Sequence, residues 1–153
     1  QVTVLYLLLH CISKHKENMM KHVIILVLLI AVSYAGQIVA NKDSSITSIT
    51  AEEAKNIFEL KKVQWANGSP ITVYLLPAAH EAQEKFASTI LGSNAAAVYD
   101  KWVAYILNGG ANIPPKTINE RKMGRLLGKT SGAIGILSDT ATLPANVVLL
   151  MKF

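Results

Sequence analysis

The order of segments along this chain predicts an α/β fold, a mixed sheet with flanking helices, preceded by an N-terminal signal helix. Three observations predict it. Short runs rich in β-branched and apolar residues recur at 38–40, 71–76, 132–137 and 147–151. Between them lie stretches with helical apolar spacing, opened by capping residues and closed by glycine. Strands separated by helices in this way build a sheet with helices packed against it. Finally, residues 23–32 form an unbroken apolar block with no polar face, as no core helix of a small domain would.

That block explains the N-terminus. Lys21 and His22 precede it, and Ser33-Tyr34-Ala35 follow, so small residues stand three and one positions before Gly36. A basic start, a short apolar run and a small-x-small site are the parts of a secretory signal. The run is about half of the roughly 20 residues a membrane-spanning helix needs. Residues 20–35 are therefore expected to be a cleaved signal peptide. Residues 1–19, which open on Gln1 and carry a second apolar run from Val2 to Leu9, read as upstream sequence translated by an over-extended gene start. Residues 36–153 are the expected domain, exported to the periplasm or secreted, with no stable membrane anchor after cleavage.

Within that domain, Ile38-Val39-Ala40 reads as a first strand and the polar stretch from Asn41 to Ser48 as a loop. Thr50-x-x-Glu53 is a capping-box pattern, and Ala54, Ile57 and Phe58 give the helix after it one apolar stripe. Asn67-Gly68-Ser69-Pro70 is a turn cluster before a strand at 71–76. A helix is expected over 79–91, with Ala82, Phe86 and Ile90 inward and Gly92 as its stop. A second is expected over 95–107, with Val98, Trp102 and Tyr105 or Ile106 inward and Gly109 ending it. Pro114-Pro115 breaks the chain. Thr117-x-x-Glu120 then repeats the capping-box pattern before a helix carrying Met123, Leu126 and Leu127. Strands at 132–137 and 147–151 close the sheet.

Composition narrows the function. The whole chain of 153 residues carries a formal charge of +5, and removing Lys14, Lys16, Lys21 and Glu17 with the N-terminal segments leaves +3. So small a charge without a clustered basic face makes no case for nucleic acid. The single cysteine, Cys11, precedes the signal cleavage site, so the domain needs no disulfide and offers no thiol nucleophile. There is no HExxH, no Walker loop and no GxSxG, and His80 is the only histidine after the signal. The expectation is a non-enzyme with no cofactor and no metal site.

A resemblance gives these segments a context. Ile57-Phe58, then Trp65-Ala66-Asn67-Gly68-Ser69-Pro70-Ile71, resemble the IF-x-GK-x-x-x-W-x-(D/N)G-x-x-I stretch of phosphate ABC transporter substrate-binding proteins. Thr130-Ser131-Gly132-Ala133-Ile134-Gly135-Ile136 is similar to that family's TPGAIGY segment. Leu91-Gly92, Trp102, Gly109 and Pro114-Pro115 fall between them in consistent order. The resemblance implies one lobe of a type II periplasmic solute-binding protein, a short single-lobe member, with oxyanions bound at helix N-termini. Its ligand loop carries over poorly. Aligned on Phe86, Leu76, Ala78, His80 and Ala82 stand where the resemblance implies Arg, Asp, Ser and Thr.

The candidate ligand residues are His80, near a helix start where an anion could dock, and Lys42, Ser44 and Ser45, which offer an ammonium and hydroxyls. Each also has an ordinary reading, as a helix-start residue or as turn chemistry. Arg121, Arg125 and Lys129, spaced four apart, form a cationic stripe that is either a solvated face or a dock for an acidic partner. Two readings stay open. One is an accessory module binding phosphate or another small oxyanion weakly, beside a transporter or sensor protein. The other is a single-lobe interaction or sensory module that has lost its ligand.

Overall fold

The computed structural model describes residues 35–110 and 115–153; the proposed signal block and the segment before it lie outside the described residues, as does Pro114. Among the described residues, five strands and four α-helices follow in the order β1 (Gly36–Asn41), α1 (Ala51–Phe58), β2 (Thr72–Leu75), α2 (Glu81–Phe86), α3 (Ala95–Leu107), β3 (Lys116–Thr117), α4 (Glu120–Lys129), β4 (Ala133–Ser138) and β5 (Val147–Lys152). The sheet order is β3-β2-β4-β1-β5. It is mixed: β2 runs parallel to both β3 and β4, while β1 runs antiparallel to β4 and β5.

Every residue of β1 and the first five of β4 are buried, so the centre of the sheet is covered on both faces. On one face lies α4. A side chain at Gly135 would meet Leu127 and Met123 at 3.2 and 3.3 Å, so glycine lets this helix sit close. Asn41 reinforces the contact by donating to the Leu127 carbonyl at 2.7 Å. On the other face Phe153 lies over Gly36 and meets Phe86 edge-on at 5.5 Å, and Phe86 meets Phe58 at 4.6 Å. These three rings join the C-terminus, α2 and α1 into one core, where each large side chain contributes about 1.5–3 kcal/mol on burial.

The local signals hold with instructive exceptions. Thr50 caps α1 by accepting from the Glu53 amide at 3.1 Å. The Glu53 carboxylate, however, pairs with Lys62. Thr117 does not cap α4; it lies in β3, and Asn119 caps the helix by accepting from the Lys122 amide at 3.2 Å. Two-residue β3 had no sequence signal, being too short to show alternation. The helix expected over 79–91 begins at Glu81 and passes into a wide π turn over Ala87–Leu91. The extra residue in that turn advances the inward face, so Leu91 is buried and Ile90 only partly so. In α3, Val98 and Trp102 are buried as expected, whereas Tyr105 is 40% exposed.

The two segments that carry the resemblance meet in space. Trp65 is buried, and its indole N–H donates to the Gly132 carbonyl at 2.9 Å. Gly132 has φ +69, and a side chain there would meet the Pro70 carbonyl oxygen at 2.3 Å. The tryptophan, the turn and the glycine therefore specify a packing joint at the start of β4.

Candidate functional site

Because β2, β3 and β4 are parallel, their carboxyl ends open on the same edge of the sheet. Such an edge is where open α/β sheets form their ligand crevices, since helices begin there and the connecting loops diverge. Three side chains converge on it: His80 from the loop between β2 and α2, Glu120 from the first turn of α4, and Ser138 from the end of β4. One oxygen of Glu120 accepts from the Ser138 N–H and from its hydroxyl, each at 2.6 Å. The other lies 3.5 Å from Nε2 of His80.

Electrostatics follow from those contacts. Burial by itself pushes the Glu120 carboxyl up, but the Ser138 hydroxyl and N–H and the neighbouring His80 outweigh it, so the group titrates below its ordinary value. Glu120 is thus a carboxylate at neutral pH. A carboxylate held by a backbone amide, a hydroxyl and an imidazole is seated as a small bound oxyanion would be.

His80 has a second duty. Its Nδ1 accepts from the Ala82 amide at 3.3 Å, capping α2. The amide that an anion would use at this helix start is therefore already engaged. Behind it, the Leu76 N–H donates to the buried side chain of Gln83 at 3.2 Å, and the Leu76 carbonyl accepts from the Tyr99 hydroxyl. Burial raises the Tyr99 pKa, only partly offset by the hydroxyl of Thr117, so the phenol stays protonated and remains a donor. Ala78 and Ala82 add no donor. The Leu76 backbone and the Ala82 amide are thus satisfied from within the chain.

The other expected site residues lie elsewhere. Lys42 and Ser44 form a short turn after β1, and Ser45 follows with φ 59. Since β1 is antiparallel to β4, that turn is at the opposite edge of the sheet from Ser138, and it does not meet His80. Ser44 is buried and donates its hydroxyl to the Asn41 carbonyl, while the Lys42 side chain is exposed. Arg121, Arg125 and Lys129 are all exposed along α4, and the latter two border a shallow groove beside Pro144. Sequence reasoning missed Glu120 and Ser138 as a pair. Glu120 reads as the partner of a Thr117 cap, and the separation of 18 positions from Ser138 hides their contact.

No protein-family model matches the chain, and no curated protein is similar to it in sequence. Solved structures are similar in fold. One is a Clostridium perfringens protein named as a phosphate ABC transporter substrate-binding protein and solved with bound phosphate. It is 16% identical, with a TM-score of 0.58 over 76% of this chain and 44% of that one. Another is an ABC-type phosphate transport receptor from Vibrio cholerae, 17% identical, with a TM-score of 0.58 over 77% of this chain and 46% of that one. The chain thus spans less than half the length of the structures it resembles. At such identities the likeness establishes architecture alone: this chain shares its α/β fold with part of each of these two proteins.

Proposed function

We propose that this chain is an exported accessory module of the solute-binding type, whose oxyanion crevice is filled by its own Glu120 and which therefore holds phosphate weakly. The observation that carries the reading is the seating of Glu120 on Ser138 and His80 at the carboxyl edge of the parallel strands. An external anion must displace that carboxylate and bind beside its charge. The loop supplies little in return, because Leu76, Ala78 and Ala82 present no side-chain donor. Losing three charge-assisted contacts costs about 4–9 kcal/mol, or some three to six decades of affinity. Those same replacements favour the second reading, a single-lobe interaction or sensory module that has lost its ligand and uses this surface for a protein partner.

Calorimetric titration of phosphate into the purified protein at low salt tests this. Binding is expected at about millimolar or weaker. Glu120→Ala removes the internal competitor and frees Ser138 and His80, so it should bind phosphate about tenfold or more tightly than the parent. Micromolar binding by the unaltered protein would refute the reading and make phosphate its working ligand.

A further inference from the structure

A recess of about 250 Å³ opens at the opposite end of α2 from His80, between the C-terminal ends of α1 and α2 and one stripe of α3. The stripe is Val98, Lys101, Trp102 and Tyr105, the i, i+3, i+4, i+7 spacing that places four side chains on one helix face. Leu91, brought inward by the π turn, adds an apolar wall.

Two features make this recess a preformed site. Trp102 is fixed: its indole N–H donates to the Phe58 carbonyl at 2.6 Å, and its ring meets Tyr99 edge-on at 5.4 Å. A wall that does not need ordering favours a ligand by sparing that entropy. The charges are also uneven. Glu59 and the more exposed Lys61, both lining the recess, pair with each other at 2.6 Å. Lys101 has no carboxylate within pairing distance among the described residues, which leaves one ammonium unanswered beside an aromatic wall.

We propose that this recess binds a small aromatic carboxylate, with its ring against Trp102 and its charge on Lys101. The size of the recess fits a single ring. The site is independent of the phosphate reading, since it shares no residue with the Glu120 crevice.

Benzoate is the probe, with benzyl alcohol as its neutral match, followed by amide chemical shifts and tryptophan fluorescence of the full protein. Benzoate should bind at about millimolar, with shifts centred on α3 and Leu91, and benzyl alcohol about fivefold more weakly. Lys101→Ala, an exposed position, should reduce benzoate affinity about fivefold and leave benzyl alcohol unchanged. No shifts at about 20 mM benzoate, equal binding of the two probes, or shifts confined to the His80 edge would each overturn the proposal. So would self-association that covers the recess and is abolished by Leu107→Asp, at the 80% exposed last residue of α3, because the occupant would then be a second copy.

Discussion

At Glu120 one carboxylate ties three segments together, and its titration reports on all of them. Its folded-state pKa lies below the ordinary 4.5, so the group contributes stability that is fully present above that value. The contribution is lost as pH falls through the depressed folded value. Ser138→Ala removes the hydroxyl donor, leaving the amide and His80; it should cost about 1–2 kcal/mol at pH 7 and flatten the loss of stability at acid pH. Thermal melts of both proteins from pH 7 down to about pH 3 would measure the difference, and parallel curves would show that Ser138 does not hold the carboxylate. Gly132 sets a different constraint. Its φ of +69 and the Pro70 oxygen in the way of a side chain act together, so Gly132→Ala should cost about 2 kcal/mol or more. Gly92 has φ +65 but open space around it, and Gly92→Ala should cost only about 1 kcal/mol. Urea unfolding of the two variants separates strain from collision.

At the scale of elements, apolar spacing was readable and caps were readable only in part. The α3 stripe was visible as Val98 and Trp102, and burial of the indole makes Trp102→Ala worth about 3–5 kcal/mol in chemical denaturation. A change within error would place that face in solvent. The cap of α4 was assigned to Thr117 because Thr-x-x-Glu is a local pattern, yet Asn119 lies nearer the first turn and β3 draws Thr117 into the sheet. Asn119→Ala should therefore lower stability by about 1 kcal/mol, and Thr117→Ala by less. The π turn after α2 had no signature at all. It arises where Ala87 and Leu91 must both reach the core, a demand made by neighbouring helices and not by the turn itself.

For the whole molecule, a signal cleaved after Ala35 would leave the sheet intact. β1 begins at Gly36, whose N–H and carbonyl both bond to Phe153, at 3.2 and 3.0 Å. A mature chain starting there keeps both bonds and, among the described residues, loses only the one from Ala35. Intact-mass measurement on the exported protein should accordingly find Gly36 at the N-terminus, whereas a membrane-bound species retaining 23–32 would overturn the processing step.

By itself the sequence determined the α/β class, four of the five strands described and most of the inward residues of the four helices, because side-chain periodicity is a local property of the backbone. It also placed His80 at a helix start. The tertiary structure alone decided the strand order, the separation of Lys42, Ser44 and Ser45 from His80 at opposite edges, and the contacts of Glu120 with Ser138 and His80. These depend on which strands run parallel and on contacts between residues far apart in the chain. No local pattern encodes them; they are set by burying every apolar stripe in one core at once.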